Sequence, residues 1–420
     1  MNNERTDRDI DQTLTAWMDH VAPDRPPGRL LEGTFARTTR ARQVRRFPWN
    51  DVAVGPLGRA ASGSGARVAL VALSVLLVLA LGGGLVGGLG LVAPSTPTPS
   101  PTPSPSPNPT ASPPPLLPAA IRVTPDFVIP VRGPIAMVTR GAAIWVLAPG
   151  RLDRIDPATN GIGASVALGP TTDLYNGIAA NAAGLWATDS DAAVVYRVDP
   201  TGLRVVKDIA AGSSPKGVVA TDTAVWVADV HGGSVLRIDP LTNLVAAPIS
   251  VGPGGPSGPN WLATGLGSIW TGIPNNRTIV RIDPATDRVQ ATIPVPAGTT
   301  PCGGIAVAAT AAWISGCSSS NTLARVDPAT NTIVATVDLG GQGYTPTVID
   351  GAPWISVDRG TADSGILVRI DPATNTIDRV LAPNLAFGGG GDILVLAGSV
   401  WVSDGYNNAV VRLPLTAFGP

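Results

Sequence analysis

At 420 residues the chain is long enough for two or three domains. Only 14% of positions are charged, and 29 Lys plus Arg against 30 Asp plus Glu leave a net charge of -1, which argues against the basic footprint of a nucleic-acid binder. Two Cys and two His exclude a zinc ribbon or a disulfide-dense scaffold, while 49 Gly and 42 Pro point to many turns without a collagen-like composition.

Residues 1–67 read as a cytoplasmic, partly helical segment. Ile10, Leu14, Trp17, Met18 and Val21 form one apolar stripe, and a second helical stretch after Pro27 carries Leu30, Leu31 and Phe35. Two readings stay open for residues 1–66: a docking helix for a cytoplasmic protein partner, or a helical pair on the inner leaflet with its arginines drawn to anionic lipid. The layout is similar to that of membrane-bound anti-sigma factors, but their zinc motif needs Cys and His, and this segment has only His20.

Residues 68–92 run without a charged side chain. At about 1.5 Å per residue a helix of that length spans roughly 37 Å, enough for the ~30 Å hydrocarbon core. A single-pass transmembrane helix is expected here. Arg37, Arg40, Arg42, Arg45, Arg46, Arg59 and Arg67 precede it, and no Lys or Arg follows until Arg122. The positive-inside rule then places the N-terminus in the cytoplasm and the rest of the chain outside the cell membrane. Residues 93–120 are dominated by Pro, Ser and Thr. They read as an extended stalk, of which residues 94–118 alone reach up to roughly 78 Å at about 3.1 Å per residue.

From residue 121 onward the chain repeats. Arg-Ile/Val-Asp-Pro recurs with its aspartates at Asp156, Asp199, Asp239, Asp283, Asp327 and Asp371, and a degenerate seventh copy is Arg412-Leu413-Pro414. In step run Trp145, Trp186, Trp226, Trp270, Trp313, Trp354 and Trp401. Each unit holds four short apolar stretches, as in Gly304–Val307, Ala312–Ile314, Thr322–Val326 and Thr332–Val337. Four short strands about every 43 residues is the spacing of a β-propeller blade. The fold class is therefore all-β: a seven-bladed propeller over 121–420. The repeated Asp is a turn-former and the repeated Trp a packing residue between blades. Asp126–Val131 matches a fourth strand without the preceding three, while the C-terminus ends on a third strand. The N-terminal strand is thus expected to complete the last blade and leave no open seam.

The segment RVDPATNTIVATVDLG, together with the GIAV and AAWIS strands of the same blade, resembles the YVTN-type propeller repeat and, more distantly, the streptogramin-lyase-like propellers. That resemblance implies the fold over 121–420. For activity it implies His and Glu side chains working with magnesium. This propeller has His231 alone and no Glu. Trp-x-x-Asp occurs at Asp189, Asp229 and Asp404, but the matching positions in three blades are Ala148, Ile273 and Gly316. No catalytic set, metal site or cofactor is expected. A lyase or hydrolase with its site on the long-loop face remains the alternative.

Binding is the preferred reading. Loops between second and third strands, and between blades, emerge on one face; the Asp-Pro turns emerge on the other. The first face collects Tyr175, Lys216, His231, Trp261, Tyr344, Phe387 and Tyr406, with Asp229 and Asp404 at the loop bases. Exposed amphipathic aromatics suit a recognition surface for a glycan, peptide or protein outside the cell. The module would serve as binding scaffold or sensor.

Cys302 and Cys317 are the only cysteines. The hairpin of the fifth blade turns near Ala309 and Thr310, midway between them. Directly opposed residues lie about 4.5–5.5 Å apart at Cα, within disulfide range, and an extracytoplasmic compartment permits the bond.

Overall fold

The repeated Arg-Ile/Val-Asp-Pro sequence folds into the same turn six times. Asp156, Asp199, Asp239, Asp283, Asp327 and Asp371 each accept a hydrogen bond on Oδ1 from the backbone N–H two residues on, at 2.7–2.9 Å. Four residues after the Asp the backbone turns left-handed, at Asn160, Asn243, Asp287, Asn331 and Asn375 with φ between 53 and 61°. Asn and Asp tolerate that region better than other side chains do. In the second blade Leu203 stands there instead, with φ 49°. The backbone N–H donors hold the carboxyls of Asp199, Asp239, Asp283, Asp327 and Asp371 below their ordinary range.

These six turns link the third and fourth strands of six of the seven sheets. In this computed structural model residues 117–419 are described, apart from 171, 172, 174, 175, 318, 319, 361–363 and 388–390. The expected cytoplasmic segment, the expected transmembrane helix over 68–92 and most of the expected stalk lie outside the described residues. Among the described residues no helix is long and apolar enough to cross a membrane. The first six blades span 136–167, 178–210, 215–250, 262–294, 305–338 and 342–385. First strands of successive blades contact one another around the axis, ending with Ile393–Leu396 against Ala136–Arg140.

The ring closes as the sequence predicts. Blade seven takes Ile393–Leu396, Ser399–Asp404 and Ala409–Pro414 from the C-terminal end, and its fourth strand is Phe127–Pro130. The register runs from Phe127↔Arg412 to Pro130↔Ala409. Alternation sets the faces of that strand. Ile129 and Val131 join a buried cluster with Trp401 and Val410, whereas Val128 and Pro130 face out; Phe127, at the strand's start, shares the inward parity but stays exposed.

All seven repeat tryptophans are at most 2% exposed. Each pairs across the inner hairpin with the residue seven positions earlier, from Val138↔Trp145 to Leu394↔Trp401. The repeated arginine explains the rest of the motif. Arg281 and Arg325 lie over their own blade's Trp, at 4.6 and 5.4 Å from the ring centroid. Each then reaches the next blade's turn: Arg281 donates to Pro328 O and Asn331 Oδ1, and Arg325 to Pro372 O and Asn375 Oδ1. Arg197 does the same toward Asn243, and Arg412 toward Asn160 of blade one, across the seam. Turn, tryptophan and arginine therefore form one inter-blade latch.

Blade six has no such turn ahead of it, and its Arg369 pairs with Asp378 on its own blade instead. The C-terminal residues and the first described residues both pack on blade six. Phe418 packs on Trp354 with centroids 4.7 Å apart, and Arg379 donates to the carbonyls of Ala417 and Gly419. On the outer side Ile121–Arg122 adds a parallel strand to blade six, opposite Leu381 and Ala382. Leu117 already packs on the apolar cluster that spans blades five and six.

Candidate functional site

The constant inner hairpin puts one residue per blade at the mouth of the central channel. It lies nine positions before each Trp: Ala136, Gly177, Gly217, Trp261, Gly304, Thr345 and Asp392. The last four line a cavity of about 530 Å³, together with Lys216, Tyr344, Tyr406, Asn260 and the Cys302–Cys317 pair. The glycines let the backbones of neighbouring blades approach closely here. At Gly304 a Cβ would stand 2.6 Å from the Thr345 backbone.

Four of the expected binding residues meet at this cavity. Trp261 and Tyr344 are half-buried in its wall, and Tyr406 is 69% exposed at its rim. Lys216 contributes a charge that is already matched: its Nζ lies 3.1 Å from Asp173 Oδ2, which also accepts from Ser190 Oγ. Tyr175 lies outside the described residues. His231 is exposed on its loop and does not line the cavity.

The remaining three side chains do not present themselves to solvent as expected. Phe387 is fully buried and packs edge-on against Tyr344, with centroids 6.1 Å apart. Its loop folds the ring inward, since an apolar ring is more stable in the core than at the rim. Asp229 and Asp404 are buried as well. Asp229 Oδ1 accepts from the N–H groups of Ser213, Ser214 and Gly232. Asp404 accepts from Ala386 N and Asn407 Nδ2. Both carboxylates tie the inter-blade loop to the loop between second and third strands, which is scaffolding for the mouth.

Asp392 was not singled out by the sequence. Its Oδ2 accepts from the Met137 N–H of blade one at 2.9 Å, and the Thr345 hydroxyl of blade six also bonds to it. Burial pushes its carboxyl above the ordinary range, and those two hydrogen bonds pull the other way. The position is held tightly: Gly391, with φ 106°, lies against Tyr344 and Ser356, where a Cβ would be 2.7 Å from Ser356 Oγ. The signal that finds Asp392 is its register nine before Trp401, where other blades carry Gly, Ala, Thr or Trp.

Cys302 and Cys317 form the expected disulfide, with Cα atoms 5.3 Å apart. They continue the register of the Ile305↔Ile314 hairpin and stiffen the cavity wall. The magnesium-dependent set implied by the lyase resemblance does not fit these residues. No group of three or more His, Cys, Asp or Glu able to hold a metal occurs among the described residues.

No family model and no curated protein matches the chain. Solved structures do match it. Virginiamycin B lyase from Staphylococcus aureus is 15% identical with a TM-score of 0.58, over 69% of this chain and 98% of that one. A streptogramin B lyase is 17% identical with a TM-score of 0.54, over 68% and 94%. Hydrazine synthase of Kuenenia stuttgartiensis is 14% identical with a TM-score of 0.54, over 70% and 97%. At such identities the likeness is one of fold, and the chain carries a seven-bladed β-propeller distantly like the streptogramin lyases.

Proposed function

We propose that the propeller is a ligand-binding module, held outside the cell by the 68–92 span and the Pro-rich stalk, and that it serves as a scaffold or sensor. The observation that carries this reading is the mouth cavity. Its volume of about 530 Å³ falls within the roughly 300–1,000 Å³ typical of small-ligand sites. Trp261, Tyr344 and Tyr406 offer ring faces and edges, and a disulfide keeps one wall rigid. Such a site takes a small molecule, or the end of a glycan or peptide. The lyase reading has only the shared fold behind it, because a fold hosts unrelated functions.

Glycan, peptide and small-molecule arrays probed with the full-length protein test the proposal, with Trp261→Ala and Tyr344→Ala as controls. Hits that both substitutions abolish support the cavity as the site. Hits that survive both would place recognition elsewhere. Protease added to intact cells tests the topology: release of the propeller through the stalk is expected, and protection would overturn the extracytoplasmic placement.

A further inference from the structure

The cavity carries two charged groups of opposite sign, and they differ in how well they are matched. Lys216 is paired with Asp173 at 3.1 Å. Among the described residues no Lys or Arg forms an ion pair with Asp392, whose hydrogen-bond partners there are the Met137 N–H and the Thr345 hydroxyl. The structural task of Asp392 is to tie blade seven to blades one and six. A neutral oxygen would do that equally well, as the Asn side chains of the turns do for the arginine latches. The negative charge is therefore surplus to the fold, and it costs desolvation at the mouth.

Resting on the binding reading above, we infer that the mouth selects a protonated amine borne on an aromatic or apolar body, with Asp392 as its counter-ion. The rest of the wall fits that class. Trp261 and the two tyrosines offer faces for an apolar body and for the cation itself, since ammonium groups are drawn to aromatic faces. Burial raises the Asp392 carboxyl, and a neighbouring cation acts in the opposite sense by favouring the carboxylate, so the group gains from an arriving amine. An anionic ligand finds no such gain, because Lys216 is already matched by Asp173.

Phenethylamine, 2-phenylethanol and phenylacetate share one ring and differ in charge. Saturation-transfer NMR titrations of the full-length protein in nanodiscs compare them. The expected order is amine above alcohol above acid, with the amine favoured about tenfold or more over the alcohol. Asp392→Asn keeps an acceptor for the Met137 N–H and should bring amine and alcohol within about twofold of each other. Equal affinities in the wild-type protein, or a preference for phenylacetate, would overturn the amine inference without touching the binding proposal. An amine preference that persists in a folded Asp392→Asn protein would overturn it too. The wild-type series stands by itself if that variant does not fold. Trp261→Ala should weaken all three probes alike. If it weakens none, or if no probe binds saturably, both the cavity reading and this inference fall. Phe-Gly-Gly, free and N-acetylated, then separates a peptide terminus from a small amine: either source supports the inference only if acetylation abolishes binding.

Discussion

Substituting Ile129 and its neighbour Val128 tests the ring closure with a built-in control. Both lie on the N-terminal strand of blade seven, one residue apart and therefore on opposite faces. Ile129 is 3% exposed among Met137, Ile144, Val146, Trp401 and Val410, whereas Val128 is 62% exposed. Ile129→Ala removes three buried carbons, or about 2.4 kcal/mol at ~0.8 kcal/mol per group. The unfilled volume between blades seven and one brings the expected loss to about 3–4 kcal/mol. Val128→Ala should stay within about 0.5 kcal/mol, as surface changes do. At about 2–4 °C per kcal/mol, the first variant should melt on the order of 8 °C lower, and the second at the wild-type temperature. Thermal unfolding followed by near-UV circular dichroism reads both, because the signal comes from the packed tryptophans. Equal shifts, or a larger loss at Val128, would mean that residues 127–130 do not pair as the fourth strand of blade seven.

Three further outcomes follow from the same structure. Arg325→Ala loses the bonds to Pro372 and Asn375 and the stacking on Trp313, and should cost about 1.5–3 kcal/mol by chemical denaturation. Arg369→Ala, with its half-exposed ion pair to Asp378, should cost less than about 1 kcal/mol; a reversed order would refute the latch. Alkylation of the unreduced, unfolded chain followed by mass spectrometry should find no free thiol. Cys302→Ser with Cys317→Ser should lower stability by roughly 3 kcal/mol for a loop of this length, and two alkylated cysteines in the wild type would show the bond absent. The five turn aspartates with lowered folded values contribute stability above the unfolded pKa of about 3.9 and lose it as pH falls through those values. Asp392, raised in the fold, works in the opposite sense, contributing below that pKa and losing its contribution as pH rises through its folded value. With five groups against one, the denaturant midpoint should fall between pH 5 and pH 2, and less so in Asp327→Asn. A flat profile below pH 4 would contradict the turn geometry.

The features that repeat were the ones that could be read. Asp, Pro and Asn recur at a turn because backbone angles demand them there, so the turns, blade number and core tryptophans were visible in the chain. The disulfide was visible because a hairpin turn fixes which residues face each other. Two kinds of feature stayed hidden. The arginine latch joins residues about 50 positions apart in adjacent blades, and no local pattern announces such a partner. Ile121–Arg122 is too short to show strand alternation. At the site, face assignment by loop type was sound for Trp261, Tyr344 and Tyr406, but it cannot tell a ring turned outward from one turned inward, as at Phe387. Asp392 was concealed because it occupies a register filled elsewhere by Gly, Ala, Thr or Trp, and only its own blade uses that register for a charge.

The joint between blades six and seven gives the molecule a direction along which it yields. A load on the chain before residue 117 first meets the two-residue parallel strand on blade six, then the antiparallel strand 127–130 on blade seven. Pulled from its leading end, each strand surrenders its hydrogen bonds one after another instead of all together. The five other blades keep their covalent hairpins throughout. Tension would thus part the ring like a zip fastener, at one stitch line, while the remaining blades stay folded and the two strands can find their places again when the force is released.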